Sequence, residues 1–85
     1  MAFAPVSLTM QDAAATVRAG LQALAAGETD IDLASLQHFD SSAVAALLEW
    51  QRAAANRGST LNIVNLPEGL DSLARLYGVS HLIHP

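Results

Sequence analysis

At 85 residues, with a net charge of −4 from eight acidic side chains against four arginines and no lysine, the chain is read as a single domain over 1–85 with little room for an active-site cleft. It lacks the basic face that neutralises phosphates, which excludes nucleic acid as a partner. Hydrophobic residues make up 52% of it, yet no run approaches the roughly twenty apolar residues of a membrane span, so no direct membrane insertion is expected; the absence of cysteine removes disulfides and thiolate chemistry.

The opening Met1-Ala2-Phe3-Ala4-Pro5 has no charged stretch leading into an apolar one, so no export signal is read and the expected location is cytoplasmic. Val6-Ser7-Leu8-Thr9 then alternates apolar with polar residues, the pattern of a short edge strand. Met10 to Ala26 predicts a helix with Met10, Ala14, Val17, Leu21, Leu24 and Ala25 near one face, Thr9 and Asp12 as a capping-box pair, and Gly27 as its stop. Gly20 inside it costs somewhat under about 1 kcal/mol relative to alanine, a cost more easily tolerated where another backbone comes close.

Asp30-Ile31-Asp32-Leu33 alternates again, and with Leu36 and Phe39 as further anchors it predicts one second strand running to Asp40. There Phe39-Asp40-Ser41-Ser42-Ala43-Val44 forms the one dense polar cluster at a strand-to-helix junction, with Asp40 or Ser41 as N-cap and two hydroxyls in a fixed direction. Either the cluster is a cap and nothing more, or Ser41 and Ser42 form a tip that is modified or read by a partner. From Ser42 to Arg57 a helix carries a core stripe of Val44, Leu47, Leu48, Gln51, Ala54 and Ala55, and Gly58 ends it. A second strip of Ala43, Ala46, Trp50 and Ala53 flanks that stripe. Two readings of it stand: a surface covered by a neighbouring protein with Trp50 as anchor, or the edge of the domain's own core.

Thr60 to Asn65 is rich in β-branched residues and predicts the third strand. Pro67 opens a last helix to Tyr77, with Leu70, Leu73, Ala74 and Tyr77 on one face and Gly78 as terminator; Val79, Leu82 and Ile83 form an apolar tail expected to fold back on the sheet. The order β-α-β-α-β-α with short links predicts a small layered α/β domain, helices packed on a mixed or largely parallel sheet.

Catalytic chemistry finds no constellation. His38 stands near Ser41 in sequence, but neighbouring side chains diverge where strand turns to helix. His81 and His84 have a ligand-like spacing without a second pair, and Asp30 and Asp32 read as the solvent face of a strand, so no metal is expected. The glycines at 20, 27, 58, 69 and 78 are too dispersed for a phosphate loop. The chain is therefore expected to be no enzyme and to use no cofactor.

Asp32-Leu33, then Phe39-Asp40-Ser41-Ser42-Ala43-Val44-Ala45-Ala46-Leu47-Leu48, then the Arg57-Gly58 turn and a strand, resemble the STAS domain of anti-sigma factor antagonists, whose tip reads Asp-Ser-Ser-Gly or a close variant. Asn65-Leu66-Pro67 and Leu73-Ala74-Arg75-Leu76-Tyr77-Gly78-Val79 are closer to the stand-alone, MlaB-type STAS subunit of the bacterial Mla phospholipid-transport ABC system. The resemblance covers Glu28 to Ile83. Ala43 departs from it, standing where a glycine is usual, and the segment before Met10 is short for the family's first pair of strands.

The resemblance implies a STAS-like fold and a non-catalytic subunit that docks its tip and following helix on the cytoplasmic ATPase of an ABC-type phospholipid transporter, regulating or stabilising it. The partner would hold the domain at the inner face of the inner membrane, with Asp40, Ser41, Ser42, Leu47, Glu49 and Trp50 as the interface. The alternative it implies is an anti-sigma factor antagonist in a partner-switching pathway. Its partner would then be an anti-sigma factor acting as serine kinase, with Ser41 the phosphoacceptor and Ser42 the neighbouring candidate.

Overall fold

The computed structural model describes residues 2–83. Along them run β1 (Ser7–Leu8), α1 (Ala13–Ala25), β2 (Asp30–Asp32), β3 (His38–Phe39), α2 (Ser42–Asn56), β4 (Asn62–Val64), α3 (Glu68–Leu76) and α4 (Ser80–Ile83). Strands β1 and β3 pair in parallel, with Leu8 opposite Phe39, and β2 and β4 pair in parallel, with Ile31 opposite Ile63. A parallel bridge adds Phe3 to Ile31. The domain is thus the small α/β fold expected from the sequence, and its strand pairs are parallel.

The expected second strand is in fact two. The Asp32 carboxylate accepts the Ala34 N–H at 2.9 Å, and the Leu36 N–H donates to the Leu33 carbonyl at 3.1 Å. An aspartate that bonds the backbone two residues on closes a turn instead of extending a strand. The order becomes β-α-β-β-α-β-α-α, and the short N-terminal segment lies along both halves of the interrupted strand. The Phe3 N–H donates to the Asp30 carbonyl at 3.3 Å, the Asp32 N–H to the Phe3 carbonyl at 2.8 Å, and β1 continues the pairing on β3.

Helix α2 crosses the middle of the core, with Val44, Leu47 and Ala54 of the expected stripe buried. The second strip is buried too, and what covers it is α1. Ala43, Ala46 and Trp50 are at most 2% exposed, and the Trp50 indole N–H donates to the Val17 carbonyl at 3.1 Å. The Phe3 ring meets the Trp50 ring edge-on, with centroids 5.7 Å apart. Gly20 makes this approach possible, because a β carbon there would sit 2.4 Å from the indole nitrogen. The close neighbour expected at Gly20 is a side chain, not a backbone.

The last two helices meet at Gly78, whose φ of +71° lets the Val79 N–H reach the Ala74 carbonyl at 2.9 Å while the Gly78 N–H bonds Arg75 at 3.0 Å. Leu70 and Ala74 are buried, whereas Tyr77, expected on the packed face, is 54% exposed. The apolar tail forms α4, which packs on α2 and α3 more than on the sheet and buries Ile83.

Candidate partner-docking site

The Phe39–Val44 junction is built by Asp40. One carboxylate oxygen accepts the Ser42 N–H at 2.8 Å, capping the first turn of α2, and the other accepts the Met10 N–H at 2.9 Å across thirty residues of sequence. A single exposed-edge side chain thereby ties the loop after β3 to the loop after β1. The bond from Met10, then that from Ser42, holds the Asp40 carboxyl below its ordinary value, since both stabilise the ionised form.

The loop after β1 is ordered in the same way. The Asp12 carboxylate takes the Ser7 hydroxyl and, at 2.8 Å, the Thr9 N–H, so its carboxyl is likewise held low, with Ser7 the leading cause. Thr9 and Asp12 thus form the carboxylate half of the expected capping box, but regular helix starts only at Ala13. Met10, placed by periodicity on the packed face of that helix, lies in the preceding turn and is 79% exposed. Asp32 is also lowered, first by Asn65 and then by the Ala34 N–H, while Asp30 accepts from Asn62. Both aspartates of β2 are engaged by asparagines of the facing chain segment.

The six residues expected at the interface fall into two groups. Asp40, Ser41 and Ser42 come together at the tip: Ser41 is exposed and its hydroxyl makes no capping bond, so the cap is Asp40, and Ser42 is half-buried. Glu49 is exposed two turns along α2, in a loose 3.5 Å ion pair with Arg52. Leu47 and Trp50 are fully buried and present no surface for docking. The reason is geometric: Leu47 lies on the core stripe, and of the two readings of the Trp50 strip the one that holds is the domain's own core, with α1 seated on it. Trp50 belongs to the domain's own core.

A shallow apolar groove runs from the tip between the first halves of α1 and α2, lined by Ala13, Ala14, Val17, Ser42, Ala45 and Glu49. In the sequence Met10, Ala14 and Val17 read as the packed face of a helix and not as part of a site; only the Met10–Asp40 bond shows that this helix starts beside the tip. Among the described residues no three acidic or histidine side chains gather as a metal site; His38 and His81 are exposed, and His84 lies outside the described residues.

A family model described as "Mlab, STAS domain" matches residues 7–84. The chain is a STAS domain of the MlaB type. No curated protein and no solved structure matches it significantly. The match extends the likeness seen over 28–83 back to β1 and α1. At the junction of this STAS domain an exposed hydroxyl on Ser41 and a fixed carboxylate on Asp40 stand at one end of the apolar groove between α1 and α2. No helix of the described residues is long and apolar enough to cross a membrane.

Proposed function

We propose that this STAS domain is a non-catalytic subunit that docks on the cytoplasmic ATPase of an Mla-like ABC phospholipid transporter and regulates or stabilises it. The observation that carries the reading is the tip of an MlaB-type domain held rigid by Asp40 beside an open apolar groove. Such an arrangement suits recognition by shape and burial, because the ordering entropy of both loops is spent on folding and not on binding. Asp40, Ser41, Ser42 and Glu49 form the polar edge of the docking surface. The domain sits at the inner face of the inner membrane through this partner.

A second reading keeps one observation of its own: Ser41 is exposed and stands at the N-terminus of α2, where the helix dipole favours a phosphate. That is the position of the phosphoacceptor in an anti-sigma factor antagonist, with an anti-sigma serine kinase as partner.

Affinity purification of the tagged protein from its host, with identification of what stays bound, separates the two. An ABC ATPase together with its permease is the expected outcome, and Glu49→Arg should then weaken retention of the ATPase without changing the thermal midpoint. Retention of a serine kinase, with phosphate found on Ser41, overturns the transporter reading.

A further inference from the structure

On the far half of α2 the structure holds a second arrangement, independent of the tip. Strand β4 bonds β2 along one side, through Asn62 and Val64: the Asn62 N–H donates to the Thr29 carbonyl at 2.9 Å and the Leu33 N–H to the Val64 carbonyl at 2.9 Å. Successive backbone groups of a strand point to opposite sides, so those of Leu61 and Ile63 point away from β2, along an edge that no strand of the described residues covers. Helix α4 lies over that edge instead. It is four residues long, and only Ile83 on it is fully buried, while Leu82 is half exposed.

What fastens α4 there is Gln51, the one polar residue in the core stripe of α2. Its Nε2 donates to the Ile83 carbonyl at 3.0 Å and to the Leu61 carbonyl at 3.3 Å. One amide therefore satisfies a carbonyl of the strand edge and, at the same time, one of the helix over it. Open depressions flank α4 on both sides. One is lined by Leu48, Gln51, Arg52, Ala55 and Leu82, the other by β4 residues and Ile83. Ile83 is buried against the core, but the helix is only four residues long and, among the described residues, one side-chain amide ties it to the strand edge; a short element so fastened opens on its own, below the free energy of global unfolding.

We infer that α4 is a reversible strap over the free edge of β4, latched by the Gln51 amide, and that its opening joins the two depressions into one cleft, apolar on the α2 side and polar along β4, beside an unpaired strand edge. The latch is specific in its chemistry. The Nε2 group has two hydrogens and both carbonyls need a donor, so glutamate at this position would set a carboxylate against two carbonyl oxygens and drive the strap off. A leucine would keep the apolar packing and lose both bonds.

Residue-resolved hydrogen exchange of the whole protein tests this. In the unaltered protein, the amide of Leu82 should exchange by a local opening insensitive to low urea, while those of Leu47 and Ile31 exchange only with global unfolding. Gln51→Leu should speed exchange at Leu82 by roughly tenfold, leave the α2 amides unchanged, and raise the rate at Ile63, uncovered when the strap leaves. If Leu82 in the unaltered protein exchanges only with global unfolding, the strap is part of the core and the inference falls. It falls equally if Gln51→Leu speeds exchange uniformly or leaves Leu82 untouched. Because the first measurement needs no variant, poor folding of Gln51→Leu would not protect the inference.

Discussion

Helix α2 has two unlike stretches. Its middle is a packing device: Trp50 is fully buried, its indole bonded to the Val17 carbonyl and pressed against the bare backbone of Gly20. Its first turn is a polar one, where a single carboxylate organises two loops and leaves Ser41 in solvent. The difference teaches that the tip need not be stabilised by its own contacts with a core. It is aimed by a helix that is fixed elsewhere, so residues of the middle govern stability and, on the proposed function, residues of the tip govern recognition.

The strongest way to break that division is Trp50→Ala. Removing a fully buried indole should cost about 3–5 kcal/mol, read as a fall in the urea midpoint and a large share of the stability of so small a domain. Any loss of partner binding should then track the loss of folded protein. A variant that stays folded yet fails to bind would place Trp50 back at the interface.

Gly20→Ala comes next and is the sharper test of the same contact. On helix propensity alone alanine should gain up to about 1 kcal/mol. The β carbon at 2.4 Å from the indole nitrogen reverses the sign, and overpacking of this kind costs about 1–3 kcal/mol. Measured in a Trp50→Ala or Trp50→Phe background, the penalty should shrink, because the two sites share one space. An equal penalty in both backgrounds would mean that the clash is with something other than the ring.

Asp40→Asn probes the tip. Asparagine keeps one acceptor oxygen but loses the second and the charge, so one of the bonds from Met10 and Ser42 must go. The pH dependence has a definite sign. Asp40, like Asp12 and Asp32, has a folded-state pKa below its unfolded value of about 3.9, so its contribution to stability is present above that value and is lost as pH falls through the lower folded one. Thermal midpoints of the two proteins should differ at neutral pH and converge below about pH 4. A gap that persists in acid would assign the effect to shape, not charge. In binding, the variant should lose more than its stability loss explains, because the loop at Met10 and the first turn of α2 at Ser42 would no longer be held together.

How far the sequence reveals these parts depends on range. The helices, their glycine stops and the Asp40 cap are local matters, written in a few neighbouring residues, and the structure has them close to where the pattern puts them. The interruption at Asp32 is also local, but alternation in Asp30 to Leu33 and the apolar Leu36 and Phe39 mask it, since a side chain that bonds Ala34 leaves no trace in hydrophobic periodicity. Two facts are long-range and have no such trace. One is that α1 covers the Trp50 strip, for which an isolated Gly20 was the only sign; the other is that Asp40 reaches Met10. A glycine in one helix and a tryptophan alone on another are complementary shapes, but only the packed chain shows that they meet. The same holds for Gln51, whose two bonds lie ten and thirty-two residues away.

Ser41 should move stability least. Its side chain is exposed and makes no cap bond, so Ser41→Ala should change the unfolding free energy by no more than about 0.5 kcal/mol. Ser41→Asp adds a negative charge where the N-terminus of α2 favours one and where Asp40 next door opposes it, and the two effects oppose each other in the free protein. A docked partner removes the water that screens this pair, so the repulsion grows in the complex while the helix contribution is already present in both states. Affinity for the proposed ATPase partner should therefore fall with Ser41→Asp and stay nearly level with Ser41→Ala. Measured side by side, the two substitutions separate a tip read by its charge from one read by its shape. Equal affinities for both variants would mean that the partner covers the groove and leaves the hydroxyl in water.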